Sequence, residues 1–311
     1  MIGKLPQTSD QLQRLVDWFA NLDVVVAFSG GVDSSVVLAA ALRNSSASVT
    51  AVTAVSPSVA QWQVEIAKRV AEELGVPHRL IPTGETDLPA YQANDRDRCF
   101  HCKSTLYATV FDRIEAEKKN AVQSANATDS ATKRNWLIVS GTNADDLGDY
   151  RPGIAAGDAA GIRKPLAELQ FGKSQVRQLA KELGLSNADL PASPCLASRI
   201  AYGVEVTVDR LKRVESAETL LHQHGFTICR VRLHEGELAR IEVPADAIHR
   251  FCEPRLWGSI TKQFREFGFQ YVTLDLEGFQ SGSLNRPLVS IGDSDRSPQR
   301  HQVKGIEPSL R

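Results

Sequence analysis

Val24-Val25-Val26-Ala27-Phe28-Ser29-Gly30-Gly31-Val32-Asp33-Ser34-Ser35 is the stretch that decides the fold. Its first five residues are apolar or small and three are β-branched, the pattern of a buried strand. Ser-Gly-Gly follows, then Val-Asp-Ser-Ser, then an apolar run through Val36, Val37, Leu38 and alanines that reads as a helix over residues 34–42. Strand, glycine turn and helix N-terminus in that order aim backbone N–H groups and the positive end of a helix dipole at one spot, which suits an anion. Gly30 and Gly31 carry no Cβ, so a ligand can approach the backbone closely. Ser29, Ser34 and Ser35 add hydroxyl donors. A plain tight turn is the competing reading, and it leaves the three serines and Asp33 unexplained.

Working outward, Leu12, Leu15, Val16 and Phe19 mark an amphipathic helix over residues 11–20. Residues 48–55 read as a second strand, and Ser56-Pro57-Ser58 ends it. Val59, Trp62, Ile66, Val70 and Leu74 fall at helical spacing up to Gly75, and residues 78–81 form a third strand. This alternation implies a parallel sheet. Ligands of such sheets bind beyond the carboxyl ends of the strands. Residues 88–97 are polar and irregular and lead into Arg98-Cys99-Phe100-His101-Cys102-Lys103, with a helix expected over 104–117. Residues 118–135 read as an exposed, disordered insertion, and residues 136–140 as a strand ending in Gly141-Thr142-Asn143-Ala144-Asp145-Asp146. The glycines of residues 150–161 predict a loop, and residues 172–183 a helix. After the proline-flanked segment Pro191 to Arg199 come helices over 208–222 and 255–267 and strands over 227–233, 238–243 and 271–276. The expected fold class is α/β: a doubly wound parallel sheet in residues 1–200, a smaller α+β domain in 201–285 and a mobile tail in 286–311.

The 311 residues carry a net charge of −1, with a pI near 6.7, so the chain lacks the basic footprint of a nucleic-acid binder. It has no apolar run of membrane-spanning length and no signal peptide, which points to a cytoplasmic protein that does not enter a membrane. In that compartment the five cysteines read as thiols or metal ligands rather than disulfides.

Three constellations carry chemistry. The first is the phosphate loop with Asp33, Asp145 and Asp146, since Mg²⁺ takes carboxylate and phosphate oxygens; the alternative is that Asp145 and Asp146 cap a helix. Lys164, before a proline, is a further phosphate candidate. The second is Cys99-x-x-Cys102 with Cys195. A zinc site would call for a second pair, whereas three thiolates fit a [4Fe–4S] cluster with one open iron. Cys229 and Cys252 read as core filling. The third is Arg199, Arg230 and Arg232 with Glu215, Glu218 and Asp246. Arg230 and Arg232 alternate on a strand and face one way, an arrangement that suits a phosphate; pairing with Glu218 or Glu237 is the bland reading.

Ser29 to Ser34 lacks the Walker A order and lysine. It resembles the PP-loop of the ATP pyrophosphatase superfamily, which holds the β- and γ-phosphates as a leaving pyrophosphate. Across residues 10–285 the chain resembles the LarE family of ATP-dependent sulfur transferases, which build the nickel-pincer nucleotide cofactor. The matching stretches are Ser29–Ser34, the Cys99 region, Gly141–Asp146, Pro194-Cys195-Leu196-Ala197-Ser198-Arg199, Arg230-Val231-Arg232 and Leu276 to Ser283. The resemblance implies adenylation of a carboxylate of pyridinium-3,5-biscarboxylic acid mononucleotide and replacement of the adenylate by sulfur. It implies ATP contacts from Ala27, Ser29, Gly30, Gly31, Val32, Asp33, Ser34, Ser35, Thr53, Thr142, Asn143 and Lys164, and Mg²⁺ at Asp145. Cys195, Asp33 and Arg199 would be catalytic, and Arg230, Arg232, Glu218 and Asp246 would hold the substrate. One family type sacrifices the sulfur of a single cysteine at the position of Cys195; the other has three cysteines and a cluster. Cys99, Cys102 and Cys195 place this chain with the second, and the family suggests a homo-oligomer such as a hexamer. Competing expectations are tRNA thiolation, an ammonia-using synthetase and a nucleotide sensor.

Overall fold

The computed structural model describes residues 9–44, 48–124, 136–148 and 152–280. The 286–311 tail and residues 125–135 of the expected insertion lie outside the described residues. Helix α1 (Asp10–Trp18) leads into strand β1 (Asp23–Ala27), whose valines are buried on both faces. Helix α2 (Val32–Arg43) starts directly after Gly31, two residues earlier than expected, so Asp33, Ser34 and Ser35 lie in its first turn. It is buried from Ser34 through Ala41, and its alanines suit the close packing that such a central helix needs. Then come β2 (Val49–Val55), α3 (Gln61–Glu73), β3 (His78–Pro82) and the short α4 (Pro89–Gln92).

Helix α5 (Arg98–Ser124) corrects two expectations. It begins at Arg98 rather than 104, so Cys99 and Cys102 ride on its first turns, and it continues through residues 118–124 of the expected insertion. Strand β4 (Trp136–Ser140) follows. The loop expected over 150–161 contains helix α6 (Pro152–Ala159). Its glycines serve close helix contact rather than a turn: a Cβ on Gly153 would lie 3.0 Å from Lys103 Cγ, and one on Gly157 would lie 3.5 Å from the Tyr107 ring. Two further helices, α7 (Pro165–Glu168) and α8 (Lys173–Glu182), precede the Cys195 segment.

The first sheet is parallel, in the order β3-β2-β1-β4. The chain winds from β1 outward to β3, then crosses to β4 on the other side of β1, so a crevice opens between the carboxyl ends of β1 and β4. Ala27 and Ser140, the last residues of these strands, are register partners. One core joins α1, α2 and α8 to one face, through residues such as Leu15, Val36, Leu38 and Leu179. Another packs Leu106, Tyr107 and Val110 of α5 with Val25, Val52 and Ile138 of the sheet.

Beyond Arg199 come α9 (Val208–Gln223), β5 (Arg230–His234), β6 (Leu238–Glu242), α10 (Pro254–Glu266) and β7 (Tyr271–Leu274). Strand β5 pairs antiparallel with β6, and β7 joins β6 in parallel. Leu211, Val214, Leu221, Val231, Ile241 and Phe264 form their core, which also takes in Ala60, Tyr91, Leu196 and Ala197. Cys229 is buried there, as expected; Cys252, expected as core filling, is exposed at the end of a 3₁₀ segment.

Candidate active site

The phosphate loop spans the crevice. Gly30 adopts φ +72°, and a Cβ there would sit 2.8 Å from the backbone of Ala67 on α3. A Cβ on Gly141 would lie 2.6 Å from Ser34 N, so β4 delivers its glycine flush against the start of α2. The loop serines shape it from within: Ser34 and Ser35 both donate to Gly31 O, at 3.1 and 2.9 Å, and Ser34 Oγ accepts from Ser29 N. Asn187, 3% exposed and outside every sequence motif, donates to Gly30 O at 2.7 Å and to Ser35 Oγ at 2.8 Å. Thr53 donates to Phe28 O at 2.7 Å. Its one proton is then spent, so His78 Nε2–H must donate to Thr53 Oγ1, at 2.8 Å.

Asp33 faces the crevice from α2, where burial raises its pKa, Asn143 Nδ2 at 3.1 Å lowers it and the Asp146 charge raises it. The structure thus brings Asp146, rather than Asp145, beside Asp33. Asp145 is committed elsewhere: it accepts the Lys173 N–H at 2.7 Å at the start of α8, the helix-capping alternative. Lys173 Nζ stands 3.5 Å from Asp146 Oδ1. The oxygens of Asp33 and Asp146 are the hard donors that Mg²⁺ takes. Lys164 lies beside β4, through the bridge between Val139 and Arg163, and its ammonium is paired with Asp158. Thr142 bonds the Ser140 hydroxyl at 3.2 Å.

The first turn of α5 meets the Cys195 segment. Arg98, buried, donates to Asn94 Oδ1 and, at 2.8 Å, to Ala197 O, while its Nη2 lies 4.0 Å from Cys99 Sγ. Cys102 and Cys195 pack on one apolar cluster, with Cys99 exposed beside them. Burial, then the neighbouring Cys195, pushes the Cys102 thiol up to about 12, and Lys103 pulls the other way. Three thiols in one electrostatic neighbourhood, with Arg98 and Lys103 as cations, match in kind what an anionic iron–sulfur centre uses. Among the described residues no three His, Cys, Asp or Glu side chains stand close enough to grip a metal ion as they are.

Helix α3 links this centre to the phosphate loop. Gln63 donates to Ser193 O at 2.7 Å, and Leu196 N donates to Ser58 O at 2.8 Å just before the helix, while Ala67 supports Gly30. Four helical residues rise about 6 Å. The loop and the Cys195 segment therefore touch one helix about a turn apart.

Arg199 is 1% exposed. It is forked onto Glu218 at 3.1 and 3.3 Å and donates to Pro194 O and, at 2.8 Å, to Cys195 O. Glu218 is buried behind it and also accepts Val231 N at 3.1 Å. Arg232 is paired with the buried Glu242 at 2.9 Å and donates to Ser198 O at 3.1 Å. Glu237 pairs with Arg210 and Arg213, and Glu215 accepts Gln61 N at 2.6 Å. Arg230 instead lies over the Phe279 ring, 5.4 Å from its centroid, and donates to Cys229 O at 2.7 Å. Burial, then the neighbouring Arg199, lowers its pKa. The Gly278–Phe279 segment packs on the turn that precedes the exposed Asp246: Phe279 N donates to Val243 O at 2.8 Å.

Residues 8–106 match the family model of asparagine synthase. An uncharacterized protein of Synechocystis sp. is 44% identical over 280 residues, 90% of this chain and 98% of its own length. The pyridinium-3,5-bisthiocarboxylic acid mononucleotide synthase of Lactiplantibacillus plantarum is 36% identical over 270 residues, 86% of this chain and 90% of that enzyme. The chain belongs to this synthase family. A tRNA-specific 2-thiouridylase of Beijerinckia indica is 30% identical over 206 residues, 53% of this chain and 43% of that enzyme.

The structure brings Ser29 to Ser35, Asp33 and Asn143 to the crevice, leaves the Lys164 ammonium on Asp158, and sets Cys99, Cys102 and Cys195 in one electrostatic neighbourhood. Asn187 and Lys173 reach the crevice with no local signal, because each lies in a segment whose own pattern is an ordinary loop or helix cap.

Proposed function

We propose that this member of the synthase family uses ATP to adenylate a carboxylate of pyridinium-3,5-biscarboxylic acid mononucleotide and then exchanges AMP for sulfur. The chain is an ATP-dependent sulfurtransferase by family. A free carboxylate is a poor electrophile; its oxygen attacks the α-phosphorus, pyrophosphate leaves, and AMP becomes the leaving group of the acyl carbon. The N–H groups of the Gly30–Gly31 loop and the start of α2 receive the charge that grows on pyrophosphate. Asp33 and Asp146 would hold Mg²⁺, which screens that charge. Arg230 receives the substrate's phosphate, and Arg199 and Glu218 act by holding the Cys195 segment and β5 in place. Cys99, Cys102 and Cys195 would hold a [4Fe–4S] centre, which would carry the sulfide that forms the C–S bond as AMP leaves. The observation that carries this reading is α3, which touches the phosphate loop and the Cys195 segment about one turn apart.

In the same reading, residues 1–200 form the adenylating unit, residues 201–285 the substrate unit, and the chain acts in the cytoplasm as a homo-oligomer such as a hexamer. The test is anaerobic purification followed by iron and acid-labile sulfide analysis and turnover with ATP and the biscarboxylate. Expected are bound iron and sulfide, pyrophosphate release that needs the carboxylate substrate, and a thiocarboxylate product. Iron-free protein that loses the mass of one H₂S from Cys195 per turnover would instead assign sulfur to that cysteine.

A further inference from the structure

Arg98 is 4% exposed and carries a permanent charge. Its Nη1 donates to Asn94 Oδ1 and to Ala197 O, two uncharged acceptors. Among the described residues its Nη2 meets only Cys99 Sγ, at 4.0 Å, and no carboxylate pairs with the guanidinium. A buried charge without a counter-charge is costly, so a guanidinium that persists in such a place calls for an anion from outside the chain.

Lys103 is the second cation there. Arg98 and Cys102 stand four residues apart on α5, and so do Cys99 and Lys103, so the four side chains share one side of its first turns. Lys103 is exposed, and its ammonium lies 6.0 Å from the centre of the Tyr107 ring. No carboxylate among the described residues pairs with it either. A Cβ on Gly153 would come 3.0 Å from Lys103 Cγ and 3.5 Å from Cys99 O, so α6 confines the stem of the lysine beside that cysteine. The nearest acids in sequence, Asp95 and Asp97, are exposed, and Asp95 accepts Asp97 N at 2.9 Å.

The neighbours select the anion. The two cations border the cysteines and the Cys195 segment, which Arg98 holds through Ala197 O. In the reaction proposed above, the group that must meet sulfur is a carboxylate, whereas the substrate's phosphate goes to Arg230 and the phosphates of ATP go to the loop after β1. A planar guanidinium offers a carboxylate parallel N–H bonds, and an ammonium beside it adds a point charge. We propose that Arg98 and Lys103 form a subsite for a carboxylate on the pyridinium ring and hold it beside the cysteines. The proposal rests on the substrate reading above and needs no metal.

Two mononucleotides that differ in one group test it by calorimetry on metal-free protein: pyridinium-3-carboxylate mononucleotide and its 3-carboxamide counterpart. Wild type should bind the carboxylate about tenfold or more tightly than the carboxamide. Lys103→Gln, at an exposed position, should keep the melting temperature, weaken the carboxylate about tenfold and leave the carboxamide unchanged. Arg98→Lys should do the same to binding; if that buried change unfolds the protein, Lys103→Gln decides alone. Arg230→Gln should weaken both ligands by one factor, since both carry the phosphate. Equal weakening of the two ligands by Lys103→Gln would assign the cations to the phosphate and overturn the carboxylate subsite, as would a wild type that does not distinguish them. A wild type that binds neither mononucleotide would sink the substrate reading itself, and the subsite with it.

Discussion

Asn187 sets the phosphate loop through one amide: Gly30 O and Ser35 Oγ share its two protons. An aspartate has the same shape but no donor. Asn187→Asp should therefore weaken binding of Mg²⁺ with a non-hydrolysable ATP analogue by about tenfold or more in calorimetry, while Asn187→Ala should cost about 1–3 kcal/mol of folding stability. Reactivity at the cysteines follows exposure and thiol pKa. Cys99 and Cys252 are exposed, whereas Cys102 is held up to about 12. In iron-free protein at neutral pH, iodoacetamide should label Cys99 and Cys252 first and Cys102 much later, as read by peptide mass spectrometry. Labelling of Cys102 at the rate of Cys99 would contradict the burial that raises it.

At the scale of elements, the site depends on how closely β4 can approach α2. Gly141 makes that contact, and an added Cβ would meet Ser34 N at 2.6 Å, a backbone atom that cannot swing away. Gly141→Ala should push the loop open, lower stability by about 1–3 kcal/mol as overpacking does, and raise the KM for ATP. Denaturant melts and ATP-dependent pyrophosphate release check the two parts. The approach of α6 to α5 obeys the same rule, which is why glycines that read locally as a loop form a helix once Lys103 and Tyr107 are in place. On the second sheet Arg232 stands opposite Arg240, and the buried Glu242 joins both, at 2.9 and 3.1 Å. Like charges across a ladder would otherwise repel.

For the whole molecule, pH is the informative variable. His234 accepts from Arg240 Nε at 3.0 Å, so it is neutral in the fold; burial, then Arg240 and Arg232, lowers its pKa below 6.5, with Glu242 opposing. His78 is lowered from 6.5 as well, by burial first. The unfolded chain therefore takes up protons that the folded chain refuses: stability is complete above about 6.5 and declines as pH falls toward the depressed folded values. Thermal melts of apo protein between about pH 5 and 8 should show that loss, and His234→Gln should shrink it by up to one proton's worth of slope. A flat profile would contradict the depressed pKa values. The parallel sheet and its strand–glycine turn–helix start were legible in the sequence because strand runs and glycine turns announce themselves over a few residues. The start of α5 at Arg98 was not, since its register depends on Asn94 and Ala197. Nor was the assignment of Asp146 rather than Asp145 beside Asp33, which turns on α8 taking Asp145 as its cap. The buried partner Asn187 comes from a segment distant in sequence. Local chemistry by itself determined a strand, a glycine turn and a helix start at Ser29 to Ser35, the kind of turn that suits an anion. Only tertiary packing decided which side chains face that turn and which stand beside the cysteines, because long-range contacts, unlike local propensity, leave no periodic trace in the chain.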